Sequence, residues 1–297
     1  MWYNISIDVL AASVMTAGMK RKDDFMGKTI SVANQKGGVG KSTTVVNLAA
    51  FLGSRGKKVL CVDLDPQGNA TTGFGIKKRS VSVTSYNVII GKNRINEAVI
   101  ATEFENVSVI PATETLAGAE LELINMENRV NRLKMQLLAI KNDYDYIFID
   151  CPPALGSLTI NALVASDSII VPMLAEFYAL EGLSQLVNSI KIVKNNYNPA
   201  LDIEGILFTM FDGRLNVAND VVSEVEKYFP NKVFKTKIPR NVRISEAPSH
   251  GKPVMYYDKS SKGTESYTLL GLELLGEPLE LPQKKRRGIF NFKKERQ

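Results

Sequence analysis

The sequence predicts an α/β protein in which a single, mostly parallel β-sheet is flanked by helices. Short apolar runs of strand length alternate along the chain with segments whose apolar residues recur at helical spacing. Such alternation is typical of a parallel sheet that is covered on both faces. Since no internal repeat and no Pro/Gly/Ser-rich linker interrupts the chain before residue 281, the pattern favours one domain.

The strands and helices are predicted from this alternation in chain order. The strands span residues 28–33, 58–64, 106–111, 144–150, 168–172 and 203–210. The helices span residues 42–53, 114–141, 180–195, 216–228 and 262–275, and a short helical segment separates the fourth and fifth strands. In the first helix the apolar residues recur at i, i+3, i+4 and i+7, at Val45, Leu48, Ala49 and Leu52.

The composition describes an ordinary soluble globular chain. Of 297 residues, 44% are apolar and 23% are charged, and no apolar stretch reaches the roughly 18 residues of a membrane-spanning helix. Cys61 and Cys151 are too few for a disulfide framework and suit a reducing compartment, so we expect a cytoplasmic protein. The single histidine, His250, has no ligand cluster near it in the sequence, and we expect neither a metal site nor a general base there.

The two ends of the chain differ from its centre. Residues 1–26 lack the pattern of a secretory signal, and we expect a disordered extension or a misplaced start codon before a folded domain at 27–280. Residues 281–297 form a basic tail. Its stretch KKRRGIFNFKKERQ holds seven of the 37 Lys and Arg residues and one of the 31 Asp and Glu residues, which accounts for the net charge of +6. A prediction of DNA binding must therefore rest on local features of a formally neutral body.

A glycine-rich stretch, NQKGGVGKST at residues 34–43, lies between the first predicted strand and the first helix. Its glycines let the backbone turn its N–H groups inward, and the helix N-terminus that follows adds positive potential. Lys41 is placed to reach the β- and γ-phosphates of a nucleotide, and the Ser42 hydroxyl to ligate Mg²⁺. The stretch departs from the common pattern because Gln35 replaces a glycine and Lys36 adds a second lysine. Strand, loop and helix in this order favour a P-loop NTPase-like site over a glycine-rich turn without a ligand.

Carboxylates end two of the predicted strands. YIFID ends at Asp150, in the form of a Walker B aspartate that holds Mg²⁺ through water. In VDLDPQGNATTGFG, Asp63 and Asp65 follow another buried strand. One of them could position the water that attacks the γ-phosphate. The alternative for either aspartate is a helix cap or a turn residue.

These stretches together resemble one protein family. KGGVGKS with its early lysine, VDLDPQGNATTG and FIDCPP are similar to the motifs of the deviant Walker A ATPases. Within that group the chain resembles the ParA/Soj proteins of bacterial chromosome and plasmid partitioning, from about residue 27 to about residue 275. Further matching stretches are PATETLAGAELEL, LTINAL, EFYALEGLSQL, TMFDGR and IPRNVRISEAPSHGKP.

The resemblance implies an ATPase that is switched by dimerisation. Lys36 would reach the ATP of the neighbouring subunit, Lys41 would serve its own ATP, and Asp65 would position the water; these three are the expected catalytic residues. The expected phosphate contacts are Lys36, Gly37, Gly38, Val39, Gly40, Lys41, Ser42 and Thr43. The expected adenine contacts are Met210, Pro239, Arg240 and Asn241. The expected Mg²⁺ ligands are Ser42, Asp63 and Asp150.

The resemblance also implies DNA binding without sequence preference by the ATP-bound homodimer. The matching basic residues are Arg214 in DGR and Arg243 in PRNVR. Contacts between guanidinium groups and phosphates would depend strongly on salt. The alternative for each arginine is a surface salt bridge. A ParB-like partner that stimulates hydrolysis and a nucleoid-associated location are expected as well.

The tail leaves other functions open. Basic residues mixed with Ile289, Phe290 and Phe292 suit an interfacial membrane anchor, an added DNA contact or a solvated terminus. A membrane anchor would resemble MinD, a related ATPase that positions the division machinery. A third function is regulation of replication initiation or of sporulation genes, which the same ATP-bound dimer could perform. TMFDGR and IPRNVRISEAPSHGKP favour partitioning.

Overall fold

The apolar runs predicted as strands form one seven-stranded sheet in the computed structural model, which describes residues 27–281. The strands are β1 (Lys28–Val32), β2 (Val59–Asp63), β3 (Ile100–Ala101), β4 (Val107–Ile110), β5 (Tyr146–Asp150), β6 (Ser168–Leu174) and β7 (Asp202–Thr209). Their spatial order is β3-β4-β2-β5-β1-β6-β7. Neighbouring strands are parallel except β3 and β4, so the predicted α/β fold with a mostly parallel sheet is confirmed.

Helices cover both faces of this sheet. They are α1 (Lys41–Ser54), α2 (Asn69–Gly73), α3 (Ser85–Ile89), α4 (Ala119–Ile124), α5 (Arg132–Leu137), α6 (Ser157–Ala165), α7 (Ala179–Asn196), α8 (Asn216–Tyr228), α9 (Val242–Glu246), α10 (Val254–Tyr257) and α11 (Lys262–Leu275). The core of one face includes α1 and α11, and that of the other includes α3 to α8. In β5, Phe148 belongs to the first core and Ile149 to the second, which is why the strand is a continuous apolar run.

Helix α1 is more deeply buried than its predicted apolar face implied. Eleven of its 14 residues are buried, because α1 lies between the sheet and α11. A Cβ atom added to Gly271 of α11 would stand 2.0 Å from the Phe51 ring. A Cβ added to Gly53 would stand 2.2 Å from the Glu105 carbonyl oxygen. Glycine at these two positions therefore lets the helix approach its neighbours closely.

The prediction of one long helix at residues 114–141 is wrong. The structure has two short helices there, α4 and α5, preceded by a 3₁₀ turn. Three asparagines separate them: Asn125 ends α4, Asn131 precedes α5, and Asn128 between them has a φ of 53°. Asparagine favours such turns because its side chain competes for backbone hydrogen bonds and tolerates the left-handed region.

Other short elements were not predicted either. β3 has two residues, and α2, α3, α9 and α10 have four or five, too few to show a period in the sequence. The predicted extension at 1–26 and the basic tail, apart from Leu281, lie outside the described residues. The domain limits at 27 and 280 therefore stay a prediction.

Three strand ends bring the predicted site residues to one edge of the sheet. β1 and β2 both pair with β5, and their register places Val32 opposite Asp150 and Asp150 opposite Asp63. Because these strands are parallel, their carboxyl ends meet at the same edge, where ligands of open α/β sheets bind. The glycine-rich loop that follows β1 therefore starts beside both carboxylates.

Replacing Gly53 by alanine should lower the free energy of unfolding by roughly 1–3 kcal/mol, because the added methyl group meets the Glu105 carbonyl. Gly182 of α7 is the matched control, since a Cβ there meets nothing within 4 Å. Gly182→Ala should raise stability by up to about 1 kcal/mol through helix propensity. Urea unfolding of both variants checks this, and equal effects at the two positions would contradict the packing described here.

Candidate nucleotide-binding site

The glycine-rich loop between β1 and α1 forms an open cradle. Gly38 and Gly40 have φ values of 72° and 85°, in the left-handed region that favours glycine. Gly40 directly precedes α1, and its carbonyl accepts hydrogen bonds from the Thr44 N–H (2.9 Å) and hydroxyl (2.8 Å). A Cβ added to Gly37 or Gly38 would meet nothing within 4 Å. The open space is therefore suited to a ligand rather than filled by the protein.

A cavity of about 400 Å³ lies above this loop. The predicted site residues that line it are Gly37, Gly38, Gly40, Lys41, Ser42, Thr43, Asp65 and Met210. Its other lining residues are Val46, Asn47, Gln67, Asn69, Thr72, Gly73, Pro153, Ala247, Pro248 and Lys252. Gln67, Asn69 and Thr72 belong to the DPQGNATTG stretch, which was a signal in the sequence. Ala247, Pro248 and Lys252 lie in the IPRNVRISEAPSHGKP stretch, which also matched the family, although none of the three was predicted as a site residue.

Lys41 is the buried cation of the cavity, which the exposed Lys252 also lines. Lys41 is only 6% exposed, and its Nζ donates to the Lys36 carbonyl over 3.4 Å. Burial lowers its pKa, while the carboxylates of Asp150 and Asp65 oppose that shift. An anion such as a phosphate group would relieve the cost of burying this ammonium group.

Asp150, at the end of β5, is a buried carboxylate whose two oxygens make no hydrogen bond of standard geometry among the described residues, although the Ser42 side chain is close enough to interact with them. Burial raises its pKa well above the ordinary value and the charge of Asp63 raises it further, while nearby Ser42 and Lys41 oppose the rise. Such a group costs stability unless a ligand neutralises it. Mg²⁺ is commonly held by one or two carboxylates together with phosphate oxygens, so Asp150 and Ser42 fit this cation. Within residues 27–281, no group of three or more His, Cys, Asp or Glu side chains forms a metal cluster.

Asp63 and Asp65 have different surroundings. Asp63 is fully buried, and its oxygens accept hydrogen bonds from the Asp65 N–H (3.1 Å), the Thr71 N–H (2.8 Å) and the Thr71 hydroxyl (2.7 Å). Burial raises the pKa of Asp63 to about 6 against the effect of these bonds. Asp65 lines the cavity, and its Oδ1 accepts from the Gln67 N–H (2.9 Å). Asp65 therefore faces the expected ligand more openly than Asp63, whose Mg²⁺ role stays a prediction.

Lys36, the second lysine of the loop, does not line the cavity that holds Lys41. Its Nζ forms an ion pair with Glu176 Oε2 at 2.6 Å, on the stretch that follows β6. Both side chains are about half exposed, and such pairs contribute roughly 0.2–1 kcal/mol, so the pair is easily broken. Lys36 and Val39 line a second, smaller cavity with Tyr178.

The predicted adenine contacts are only partly brought together. Met210 lines the main cavity and has a φ of 49°. Within the described residues, Pro239, Arg240 and Asn241 do not line it. Pro239 pairs with Phe211 in a β-bridge, and the Asn241 side chain caps α9 by accepting from the Arg243 N–H (2.9 Å). Their contact with a base stays a prediction.

Both arginines predicted to bind DNA are exposed and paired within the chain. Arg214 contacts Asp212 through Nε (2.8 Å) and Nη2 (2.5 Å). Arg243 contacts Glu246 at 2.8 Å and Asp258 at 3.3 Å. The surface salt bridge considered from the sequence is thus present at both positions. Exposed pairs of this kind are weak, so either guanidinium group can exchange its partner for a phosphate.

Comparison with known proteins identifies the family. Residues 27–203 match the family described as an AAA domain. Over 249 residues the chain is 56% identical to the sporulation initiation inhibitor protein Soj of Bacillus subtilis, an alignment that covers 84% of this chain and 98% of that protein. The chain belongs to the ParA/Soj family of ATPases. The predicted family is therefore confirmed.

Solved structures agree with the fold. The cobyrinic acid a,c-diamide synthase of Mycobacterium smegmatis, with a bound ATP analog and magnesium, has a TM-score of 0.74 and 35% identity, covering 84% of this chain and 94% of that chain. The septum site-determining protein MinD of Pyrococcus horikoshii, complexed with Mg-ADP, has a TM-score of 0.66 and 26% identity, covering 84% and 96%. Separately, no helix between residues 27 and 281 is long and apolar enough to cross a membrane.

Replacing Asp150 by asparagine should stabilise the nucleotide-free protein while weakening Mg²⁺-dependent ATP binding. The raised pKa means that the buried carboxylate costs stability, and the cost grows as the pH rises above the ordinary value of 3.8. The gain should therefore be present at neutral pH and shrink as the pH falls toward that value. In EDTA at neutral pH we expect the free energy of unfolding to rise by roughly 1–3 kcal/mol.

Asp143→Asn, at an exposed position of the same chain segment, is the control for the loss of one negative charge. It should change neither the unfolding free energy nor ATP binding by a measurable amount. An Asp150→Asn protein that is less stable than the wild type in EDTA would contradict the assignment of Asp150 as an unpartnered carboxylate.

Proposed function

We propose that this ParA/Soj protein is an ATP-driven dimer switch that partitions DNA. The observation that carries the proposal is the cavity at the carboxyl edge of the sheet, where the glycine loop and Lys41 lie beside the unpartnered carboxylate of Asp150. The chain hydrolyses ATP to ADP and phosphate, and hydrolysis returns the dimer to single subunits.

The phosphates of ATP would be held by the loop backbone and by Lys41. The N–H groups at the start of α1 carry positive partial charge, which favours an anion at that place. Lys41 adds a full charge beside them in a largely dry setting. The Mg²⁺ that Ser42 and Asp150 would hold neutralises negative charge on the phosphates. Because phosphoryl transfer needs mainly positioning and charge neutralisation, these groups account for most of the chemistry.

Asp65 is the residue assigned to the attacking water. It is 5% exposed and lines the cavity that Lys41 also lines. The Gln67 N–H binds one of its oxygens and thereby limits the orientation of the carboxylate. A fixed carboxylate at the cavity wall can orient a water molecule toward a terminal phosphate.

Lys36 would act on the ATP of the neighbouring subunit. In the single chain its ammonium group is turned outward to Glu176 rather than into its own cavity. Lys41 and Lys252 line that cavity, whereas Lys36 does not. An outward lysine next to the cavity is suited to a second copy of the chain that meets this edge, where it would supply positive charge in trans as an arginine finger does.

DNA binding would follow from dimer formation. Arg214 and Arg243 are exposed, and each lies four positions along the chain from a residue that lines the cavity, Met210 and Ala247 respectively. Two copies of such a surface bring more cations to one duplex than a single chain does, and phosphate contacts add up in affinity. A ParB-like protein would stimulate hydrolysis, and the DNA-bound dimer would be associated with the nucleoid.

Lys36→Gln should bind ATP normally but fail to form a dimer, because it removes the charge supplied in trans. Glu176→Gln is the matched control, since it breaks the same ion pair from the other side. If Glu176 merely competes for Lys36, this variant should dimerise at the same ATP concentration or a lower one. Light scattering after size exclusion, with a slowly hydrolysed ATP analogue, measures both. Equal loss in the two variants would mean that the ion pair itself is what matters.

Co-sedimentation with plasmid DNA and with anionic liposomes, each with and without ATP, tests the function itself. We expect ATP-dependent sedimentation with DNA that weakens steeply as salt rises. Sedimentation with liposomes and not with DNA would instead support the membrane-cycling function suggested by the basic tail. A ParB-like partner is not needed for this measurement.

Arg243→Glu should lose DNA binding while it still dimerises with ATP. Arg55→Glu is its control, because Arg55 is also an exposed, ion-paired arginine, at 2.7 Å from Glu277, but lies at the end of α1 away from the cavity. The control should sediment with DNA like the wild type. Loss of dimerisation in Arg243→Glu would assign this residue to the interface or to folding.

A further inference from the structure

Two buried carboxylates stand side by side at the cavity edge and have opposite surroundings. Asp63 and Asp150 are paired in the register of β2 and β5, and neither is exposed. Asp150 has no hydrogen-bond partner among the described residues, whereas the oxygens of Asp63 accept three hydrogen bonds from its own chain. Asp150 is therefore free to bind a ligand, whereas both oxygens of Asp63 already accept hydrogen bonds from the protein.

Thr71 supplies two of the three hydrogen bonds to Asp63. Its N–H (2.8 Å) and its hydroxyl (2.7 Å) both bind Asp63 Oδ2. The same hydroxyl oxygen accepts the N–H of Ala112 at 2.9 Å, just after β4. A hydroxyl has one hydrogen to donate and lone pairs to accept, so both bonds can exist at once. Because Thr71 is fully buried, removing its hydroxyl leaves the Ala112 N–H without this partner and takes one of the two hydrogen bonds from Asp63 Oδ2.

The other oxygen of Asp63 holds the backbone of Asp65. Asp63 Oδ1 accepts the Asp65 N–H at 3.1 Å. Asp65 then begins a tight turn in which its carbonyl accepts the Gly68 N–H at 2.8 Å, and Gly68 has a φ of 59°. One carboxylate thus fixes both ends of the segment from 65 to 71. The residue assigned to the attacking water lies at the start of that segment.

Ala112 connects this segment to the rest of the scaffold. It precedes α4, where Glu120 accepts the N–H groups of Ser157 (2.7 Å) and Leu158 (3.2 Å) at the start of α6. The segment that carries Asp65 is therefore anchored, through Thr71, to the chain that also binds the helix following β5. All the contacts of this anchor are made within the protein. They therefore position the Asp65 segment without help from a bound nucleotide.

We propose that Thr71 is a positioning residue for ATP hydrolysis, because its hydroxyl fixes Asp63 and Asp63 fixes the backbone of Asp65. The inference rests on the proposed role of Asp65 in orienting water. It assigns to Asp63 the role of ordering the segment from 65 to 71, and not the role of a Mg²⁺ ligand. Neither Thr71 nor Asp63 is among the residues that line the cavity, so we expect ATP binding not to depend on them.

Thr71→Val tests the proposal, because valine keeps the shape of threonine and lacks the hydroxyl. We expect kcat for ATP hydrolysis to fall about tenfold or more, with the Kd for ATP unchanged within about threefold. Thr71→Ser keeps the hydroxyl and should retain kcat within about threefold of the wild type. A wild-type kcat in Thr71→Val, or an equal loss in Thr71→Ser, overturns the proposal.

A double-mutant cycle with Asp65→Ala separates positioning from general damage. If Thr71 acts through Asp65, adding Thr71→Val to Asp65→Ala should cost nothing further in the residual turnover. A further loss of the same size as in the wild-type background means that Thr71 acts by another route, and overturns the proposal. Wild-type turnover in Asp65→Ala alone overturns the proposed role of Asp65 and this inference with it.

Asp63→Asn keeps the test decisive if Thr71→Val folds poorly. As a positioning group, Asp63 should show the same pattern when its charge is removed, with a lower kcat and an unchanged Mg²⁺-dependent Kd for ATP. Fluorescence titration with a labelled ATP analogue, with Mg²⁺ and with EDTA, measures the Kd. Loss of the Mg²⁺ dependence in Asp63→Asn would make Asp63 a metal ligand and overturn the proposal.

Discussion

The parallel register of β1, β5 and β2 is the constraint on which the whole site depends. It places the end of β1, from which the glycine loop starts, beside Asp150 and Asp63. A shift of one residue in this register would turn every side chain of a strand to the other face of the sheet. Because both faces are packed with helices, such a shift is strongly disfavoured. The groups proposed to be catalytic are thus positioned by the same packing that stabilises the fold.

The buried charged side chains of the cavity lower the stability of the nucleotide-free protein. Burial lowers the pKa of Lys41 and raises that of Asp150, so both groups are disfavoured in their charged forms. A magnesium nucleotide carries the opposite charges to both, and its binding would relieve the two costs together. By contrast, Lys36, Arg214 and Arg243 are paired in exposed positions, where the pairs are weak. The groups proposed to hold the nucleotide are buried, whereas the groups proposed to meet a partner are exposed and easily released.

Much of the fold could be predicted because periodicity is a local property of the sequence. The limits of α8 and α11 agree with the prediction to the residue, and the predicted strands differ from the observed ones only by a few residues at their ends. The helix predicted at 114–141 failed because asparagines at 125, 128 and 131 interrupt a pattern that is otherwise helical. Short helices such as α9 and α10 could not be predicted, since four or five residues do not complete a recognisable period.

The sequence by itself determined the fold class, the family and the chemistry of the loop, because residue types at fixed spacing specify them. Lys41, Ser42 and Asp150 could be assigned from their place at strand ends and at a helix start. Only the tertiary structure decided which of these groups already have partners. Thr71 meets Ala112 across 41 positions of the chain, and Lys36 meets Glu176 across 140. Such contacts are set by the packing of distant segments, so no local pattern shows that Asp63 is occupied while Asp150, beside it, is open.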